Sequence, residues 1–374
     1  MSPVAADAAA VAPRHHRATI HPLRVAAVEP VTGDSVAIEF VVPPELREQF
    51  AFVQGQHVSL RCEAAGDDLR RSYSICSAAG SGRLRIAVKC LPNGVFSAYA
   101  RDRLGPGDVV EVVTPTGRFN TPLDPTRSRS YVMIAAGSGI TPVLSILATV
   151  LDAEPRSTVT LLYGNRTVAD IMFLEDLEDL KNLHPARFTM FHVLSREEQE
   201  VELFHGRLDR ERLQRFLDVL VPVDSVDEWF LCGPRGMIDA ARELLAERGV
   251  DASHVHFELF HTESIEAARS TRSPAADAVS GEVADVTIVL DGRSSTFRMP
   301  RTGERILDAA LRVRSDAPYA CKGGVCGTCR AKLVEGTVTM EQCYALEQAE
   351  VDAGFVLACQ SHPTAERVTL DFDQ

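Results

Sequence analysis

Hydrophobic and polar positions follow a strand-like pattern over residues 19–120. Short apolar runs such as SVAIEFVVP, RLRIAVKCL and DVVEVVTP are separated by clusters of Gly, Pro, Asp and Asn. Regularly spaced short strands of this kind predict an antiparallel β-barrel or sandwich. A single helical segment, Phe96 to Leu104, is expected to interrupt the strands.

From residue 121 to residue 262 the pattern changes to strands that alternate with helices. YVMIAA is a near-continuous apolar run, which is typical of a strand in a buried parallel sheet. A helical pattern follows it, and a second helix is predicted over residues 168–180. The strands RFTMFHVLS and EWFLCG come next, and then the helix MIDAARELLAER. The alternation predicts a doubly wound α/β domain.

The remaining stretches divide into connecting segments and a third domain. Residues 1–18 are Ala-rich and are expected to form a disordered tail, and residues 263–282 are small and polar, as in a linker. Residues 283–374 open with the strand VTIVL, an Asp-Gly hairpin turn and the strand STFRM. A helix, ERILDAALRVR, follows, and the chain closes with the strand VTLDF.

Composition and charge exclude several classes of protein. The chain has 45% hydrophobic and 24% charged residues, as soluble globular proteins do, and it has no run of about 18 apolar residues to insert into a membrane. The order of residues in the tail is the reverse of a secretory signal, so we expect a cytoplasmic protein. A net charge of −13 argues against nucleic acid as a partner.

Three cysteines lie close together at the spacing C-x4-C-x2-C, and a fourth lies 30 positions later. They are Cys321, Cys326, Cys329 and Cys359. This is the spacing of plant-type [2Fe–2S] proteins, whereas structural zinc sites usually join two C-x2-C pairs. We therefore predict a [2Fe–2S] cluster on these four thiols, with zinc and a cluster of reduced thiols as the alternatives.

The other cysteines do not indicate a disulfide framework, because the chain has nine cysteines in all, an odd number, and is long for a disulfide-stabilised domain. Cys62, Cys76 and Cys90 lie in strand-like sequence and are expected to be buried as apolar residues. Cys343 lies nearer to the trio than Cys359 does, but its polar surroundings, TMEQCYALEQAE, argue against a role as a ligand.

The stretch RSYSICS has the features of a site for a flat phosphorylated ligand. Arg71 and Tyr73 are alternate residues of a predicted strand, so a cation and an aromatic ring project to the same side. Downstream, a glycine turn opens the helix that contains GVFS, and the N–H groups of such a turn can bind a pyrophosphate. Taken alone, the first pattern is better explained by a barrel strand with an exposed Arg and a half-buried Tyr.

Three loops of the α/β domain carry candidate groups for a dinucleotide. GSGITP, residues 137–142, lies where a strand passes into a helix, although it lacks the third glycine of G-x-G-x-x-G. Ser195 and Arg196 lie at the end of the strand RFTMFHVLS, where an adenosine ribose would end, and Arg166 could join them at a 2′-phosphate. Cys232 lies at the end of a further strand, where it could pack against a nicotinamide. Solvated loop charges and an ordinary strand end are the alternatives.

Together these motifs resemble the ferredoxin–NADP reductase superfamily. RSYS with GVFS resembles its flavin-binding signature, and GSGITP, YGNR, LSRE and CGP resemble its nicotinamide-binding domain. With a plant-type ferredoxin at the C-terminal side, residues 19–374 are similar to the oxygenase-reductase family in motif order and in domain order.

The resemblance implies a multidomain fold with an FAD-binding antiparallel β-barrel over residues 19–120. It further implies an NADP-binding α/β domain over residues 121–262 and an α+β ferredoxin domain with a β-grasp fold over residues 283–374. The implied site residues are Arg71, Tyr73 and Ser74 for FAD, Gly94, Val95, Phe96 and Ser97 for its phosphates, Gly139 and Thr141 along the nicotinamide path, Cys232 as the catalytic residue beside the hydride donor, Ser195 and Arg196 for the 2′-phosphate of NADPH, and the four cluster thiols.

The function implied is that of an NADPH-dependent reductase with FAD and a [2Fe–2S] cluster. Such a protein divides a hydride into single electrons and delivers them to a separate oxygenase component, here a phenylacetyl-CoA epoxidase. One alternative is an NADH-dependent reductase of a ring-hydroxylating dioxygenase or of a membrane hydroxylase or desaturase. The other is a non-enzymatic electron-carrier module, which a lack of bound flavin would indicate.

Overall fold

The computed structural model describes residues 19–64, 67–90, 94–260, 282–346 and 348–374. The predicted tail, and residues 263–281 of the predicted linker, lie outside these ranges. Within them, no helix has both the length and the apolar character that crossing a bilayer requires.

The N-terminal part is one antiparallel sheet of 6 strands in the order β4-β3-β6-β1-β2-β5. An isolated bridge between Ile75 and Ile86 joins the two edge strands, so the sheet closes into the predicted barrel. Alternate side chains fill the interior, among them Leu60, Ile86 and Val112, which are fully buried. Its elements are β1 (Ile20–Thr32), β2 (Ser35–Val41), β3 (His57–Ala64), β4 (Asp67–Ser74), β5 (Leu84–Lys89), α1 (Val95–Asp102) and β6 (Val109–Thr116).

The central part is a parallel sheet of 5 strands in the order β11-β10-β7-β8-β9. Helices cover both faces, as predicted for a doubly wound domain. The order reverses between β7 and β10, which makes the crevice beyond their carboxyl ends the binding position in such folds. Its elements are β7 (Ser130–Ala136), α2 (Ile140–Ala153), β8 (Thr158–Asn165), α3 (Leu174–Leu183), β9 (Phe188–Leu194), α4 (Arg210–Val219), β10 (Glu228–Gly233), α5 (Arg235–Glu247) and β11 (Val255–Leu259).

Two details of the helices differ from the sequence prediction. The helix predicted over residues 168–180 begins only at Leu174, because Asp170 closes a short 3-10 turn through a capping box and Phe173 takes a left-handed φ of 60°. Helix α4 was not predicted at all. It is rich in charge, and only Leu213, Phe216 and Leu217 are buried among its side chains.

The C-terminal part is a mixed sheet of 5 strands in the order β13-β12-β18-β14-β16, with a separate pair, β15 and β17. The hairpin between β12 and β13 turns at Asp291 and Gly292, both with positive φ, as the Asp-Gly signal predicted. Helix α6 packs its buried face on the sheet. The elements are β12 (Val283–Leu290), β13 (Arg293–Pro300), α6 (Ile306–Val313), β14 (Arg330–Glu335), β15 (Val338–Met340), α7 (Gln348–Asp352), β16 (Phe355–Leu357), β17 (Ser361–Pro363) and β18 (Arg367–Asp371).

The barrel and the parallel sheet share a hydrophobic core. Cys76 and Phe119 from the barrel side pack in one cluster with residues of α2 and β7. Two hydrogen bonds reinforce the contact: the Ser145 hydroxyl donates to the carbonyl of Ser77 at 2.7 Å, and the Ala79 N–H donates to the Thr149 hydroxyl at 2.9 Å. This junction fixes the barrel at the edge of the α/β crevice.

Candidate functional site

The four predicted cluster thiols form two pairs on and beside the cluster loop, residues 318–330. Cys321 interacts most strongly with Cys326, and Cys329 with Cys359. A [2Fe–2S] cluster takes two thiolates on each of its two irons, so two pairs suit it. Among the described residues, no three His, Cys, Asp or Glu side chains converge as ligands of a single ion.

Strand pairing explains how Cys359 reaches the loop from a distant position in the sequence. Strand β14 begins at Arg330, directly after Cys329, and it pairs with β16 so that Arg330 lies opposite Leu357. The N–H of Ala358 also donates to the carbonyl of Cys329 at 3.1 Å. The antiparallel ladder therefore brings the fourth thiol beside the third.

Hydrogen-bond donors surround the thiols. The N–H of Gly323 donates to the Cys321 sulfur at 3.3 Å, and the amide of Gln360 reaches the Cys359 sulfur at 3.6 Å. Gly324 adopts a φ of 77°, which lets the loop turn its N–H groups inward. Such donors stabilise the negative charge of an iron–sulfur cluster and help set its potential. The site therefore fits the cluster that the spacing predicted.

The other cysteines lie in more varied environments than predicted. Cys76 is buried, as expected, but Cys90 is only half-buried, and its thiol donates to the carbonyl of Ser97 at 3.4 Å. The side chain of Cys62 is outside the described part of the structure. Cys343 is half-buried and packs against the core of the C-terminal domain.

The predicted flavin residues meet at the end of β4 and the start of α1. The ring of Tyr73 lies 5.3 Å from that of Phe96, and the Arg71 guanidinium donates to the carbonyl of Arg70 at 2.8 Å. Gly94 is the N-cap of α1, and it supplies no side-chain bond to the first N–H groups of the helix. The N–H groups at the start of α1, the Arg71 guanidinium and the Tyr73 ring thus lie on neighbouring elements, as an FAD site requires. Also at this helix start are Val95, which is exposed, and Ser97, which is buried and donates to the carbonyl of Gly94.

Gly139 and Cys232 lie on the two sides of the crevice where the strand order reverses. A Cβ atom on Gly139 would lie 2.2 Å from the carbonyl oxygen of Cys232, so only glycine fits there. Cys232 is fully buried, and burial raises the pKa of its thiol well above the ordinary value. It is therefore a neutral thiol and not a nucleophile. Thr141 is also buried, and its hydroxyl donates to the carbonyl of Ser138 at 3.0 Å.

The loops after β8 and β9 are joined by their backbones. The N–H of Ser195 donates to the carbonyl of Asn165 at 2.9 Å, and the N–H of Arg196 donates to that of Arg166 at 2.8 Å. Both arginines are exposed, and neither has an acidic partner within the described ranges. The carboxylate of Glu197 instead accepts the N–H of Val168 at 2.9 Å.

Two functional candidates were missed in the sequence, Glu258 and His57. Glu258 lies opposite Cys232 in the pairing of β10 with β11, and His57 lies opposite Ser74 in the pairing of β3 with β4. The two strand pairs face each other. The Ser74 hydroxyl is 3.3 Å from the Glu258 carboxyl group, and His57 Nδ1 is 3.8 Å from it. A lone carboxylate within the apolar segment HFELF was the available signal.

Glu258 and His57 are close enough for an ion pair, but their pKa values favour the neutral forms. Burial raises the pKa of Glu258 to about 8 and lowers that of His57 to about 4. Because burial is the first cause in both cases, it outweighs the attraction between two groups 3.8 Å apart. At neutral pH the junction therefore holds a protonated carboxyl group beside the Ser74 hydroxyl.

The raised pKa of Glu258 predicts a pH-dependent stability difference. Its folded pKa of about 8 exceeds the ordinary 4.5, so its contribution to stability is present below pH 4.5 and is lost as the pH rises to about 8. The Glu258→Gln variant should gain stability relative to the wild type across this window, by at most about 1.4 kcal/mol per pH unit. Thermal unfolding at several pH values measures it. Glu366→Gln, at a carboxylate that is 92% exposed, should show no such trend. A difference that does not change with pH would contradict the assignment.

Three family models match successive parts of the chain. The oxidoreductase FAD-binding domain matches residues 22–121, the oxidoreductase NAD-binding domain matches residues 133–243, and the 2Fe-2S iron-sulfur cluster binding domain matches residues 288–364. Their order is that of the barrel, the parallel sheet and the C-terminal domain.

Relatives match nearly the whole length of the chain. The chain is 43% identical to one of the subunits of the 1,2-phenylacetyl-CoA epoxidase of Escherichia coli (strain K12), over 95% of this chain and 98% of the relative. It is 32% identical to the ferredoxin reductase component of 3-ketosteroid-9-alpha-monooxygenase from Rhodococcus rhodochrous, over 94% and 96% of the two chains. The solved structure of phthalate dioxygenase reductase has the same fold, with a TM-score of 0.56 at 24% identity, and the match covers 94% of this chain and 98% of that one.

Proposed function

The chain belongs to the family of FAD- and [2Fe–2S]-binding reductase components of multicomponent oxygenases, and we propose that it uses NADPH and serves a phenylacetyl-CoA epoxidase. Like its relatives, it is an oxidoreductase that passes electrons from a nicotinamide to a separate oxygenase component. The nicotinamide and the oxygenase are the specific parts of the proposal.

The observation that carries the proposed electron path is the meeting of three elements at one junction. Ser74 ends the flavin strand, and Glu258 lies beside Cys232 at the nicotinamide crevice. Val325 of the cluster loop packs against the core of the parallel-sheet domain, and the guanidinium of Arg70 on the flavin strand lies 4.3 Å from the centre of the Tyr319 ring in the same loop. The flavin strand, the nicotinamide strands and the cluster loop therefore converge.

Each group at the junction has a distinct part in this proposal. When bound, FAD and the cluster supply the change from two-electron to one-electron chemistry. Arg71 and Tyr73 would hold the pyrophosphate and the ring system, and the close packing of Gly139 against the carbonyl of Cys232 would fix the two loops that line the nicotinamide path. The neutral Cys232 thiol and the protonated Glu258 leave the crevice without a fixed negative charge.

The choice of NADPH is supported by the arginines after β8 and β9. Arg166 and Arg196 are exposed, and their backbones are hydrogen-bonded to each other. Two guanidinium groups that are not committed to carboxylates suit a 2′-phosphate, because guanidinium–phosphate bonds are charge-assisted. Glu197, which could otherwise accept a ribose hydroxyl, is bonded to the N–H of Val168.

Replacing Arg196 by glutamine should change the nicotinamide preference. Loss of a charge-assisted bond should raise the KM for NADPH by about 10- to 100-fold and leave the KM for NADH nearly unchanged. Steady-state reduction of an artificial electron acceptor with each nucleotide measures this. Arg210→Gln is the matched control, because Arg210 pairs with Glu243 and Glu247 on the surface of the same domain. Equal losses with both nucleotides would contradict the assignment, and a wild type that prefers NADH would favour the dioxygenase-reductase alternative.

The choice of oxygenase is supported by the relative that belongs to a phenylacetyl-CoA epoxidase. Reconstitution with the oxygenase subunits of such an epoxidase, phenylacetyl-CoA and NADPH tests it. We expect nucleotide oxidation coupled to epoxide formation. Coupling instead to the oxygenase of a ketosteroid monooxygenase would overturn this part of the proposal.

A further inference from the structure

The C-terminal domain touches both other domains through side chains around the cluster loop. From the parallel-sheet domain, Arg235 donates to the Tyr344 hydroxyl at 2.6 Å, and its guanidinium lies 5.1 Å from the centre of the Tyr344 ring. From the barrel side, Arg118 forms an ion pair with Glu350. Arg70 of β4 also lies over the ring of Tyr319, at 4.3 Å.

An apolar contact lies among these polar ones. Val325, between two of the cluster cysteines, packs against the core of the parallel-sheet domain, and so does Tyr344. The cluster loop itself is therefore the part of the C-terminal domain that is seated on the reductase. Within the described ranges, Val325 and Tyr344 are the side chains of this domain that pack on that core, so the polar contacts contribute much of the specificity of this position.

Glu350 connects the interface to the cluster loop through Arg330. Its side chain is 12% exposed, and it accepts a bond from Arg330 at 2.9 Å as well as the ion pair from Arg118. Arg330 immediately follows Cys329, and its guanidinium lies 3.5 Å from the centre of the Phe355 ring, which also belongs to the C-terminal domain. The carboxylate is thus held within its own domain by the residue that follows a cluster cysteine, and Arg118 is the contact that the barrel side adds.

We propose that Arg118 and Arg235 are positioning residues for electron transfer from the flavin to the cluster, holding the cluster loop at the flavin–nicotinamide junction through Glu350 and Tyr344. The inference rests on the proposed function. Electron tunnelling weakens exponentially with distance, so the rate depends on the fraction of molecules in which the loop is seated. Polar contacts between domains resemble those of transient interfaces, so the same contacts can open when the cluster meets an oxygenase.

The test separates the two electron-transfer steps by anaerobic rapid mixing of the full chain, loaded with FAD and cluster, with NADPH. Arg118→Gln and Tyr344→Phe should each slow bleaching of the cluster band by about 3- to 10-fold, with flavin reduction unchanged. Their combination should slow it further. Arg118→Lys, which keeps the charge, should recover most of the rate, and Arg127→Gln, at a surface arginine paired with Asp124, should match the wild type.

The dependence of the cluster-reduction rate on ionic strength gives a second readout. If Arg118 had a purely structural role, this dependence would not change on its substitution. Salt screens a partly exposed ion pair, so cluster reduction in the wild type should slow as salt rises, and in Arg118→Gln it should depend less on salt. The positioning role would be overturned if Arg118→Gln and Tyr344→Phe both reduced the cluster at the rate of Arg127→Gln. Equal slowing of flavin reduction and cluster reduction would also overturn it. A wild type whose flavin is reduced but never passes electrons to the cluster would instead refute the proposed function.

Discussion

The Cys359→Ser variant is expected to lose the cluster and to stop delivering electrons to the oxygenase, while NADPH still reduces its flavin. The thiol of Cys359 pairs with that of Cys329, and its side chain is only 1% exposed. The ladder of β14 and β16 fixes its position beside Cys329. Serine is a much poorer ligand for iron than a thiolate. Visible absorbance and iron content measure the cluster, and oxygenase-coupled turnover should fall to background.

Cys343→Ser is the matched control for this change. It removes a thiol from the same domain, and Cys343 is half-buried against the same core. We expect full iron content and normal turnover. If instead Cys343→Ser loses the cluster and Cys359→Ser keeps it, the assignment of the fourth ligand is wrong.

The Arg71→Ala variant is expected to lose most of its FAD during purification. Arg71 and Tyr73 lie on the same strand two residues apart, and the ring of Tyr73 packs near Phe96 at the start of α1. Removing a charge-assisted bond to a pyrophosphate should weaken flavin binding by about 10- to 100-fold. Adding Tyr73→Ala should weaken it further. Flavin content and fluorescence titration with FAD measure the effect.

A control at a surface arginine separates flavin binding from general damage. Arg47 is an exposed residue of the same barrel, and Arg47→Ala should purify with a full complement of flavin. The cluster band of Arg71→Ala should also remain, because the cluster thiols lie in another domain. Normal flavin content in Arg71→Ala would contradict the role given to this residue.

Local patterns were sufficient for the fold class and for the cluster. Cys321, Cys326 and Cys329 lie within one loop, so their spacing alone limits what they can bind. Apolar runs likewise predict strands of the barrel and of the parallel sheet, because β2, β7 and β10 are buried over most of their length. The family matches confirm the three-domain architecture.

Features that depend on tertiary contacts were not predictable. Helix α4 shows only a narrow apolar stripe, and Phe173, which is buried with a left-handed φ, delays the start of the predicted helix to Leu174. Glu258 gains significance only when β11 is placed beside β10 and opposite β4. The contact between Arg118 and Glu350 joins domains that are far apart in sequence, and no spacing could reveal it.

The central claim is that electrons pass from a nicotinamide through the flavin to the cluster. An anaerobic titration monitored by visible absorbance tests this claim most directly. Small additions of NADPH should bleach the flavin band and the broad cluster band of the wild type, and the reduced cluster should give an electron paramagnetic resonance signal. NADH should be much less effective at the same concentrations. Bleaching of the flavin with a cluster band that never changes would contradict this electron path.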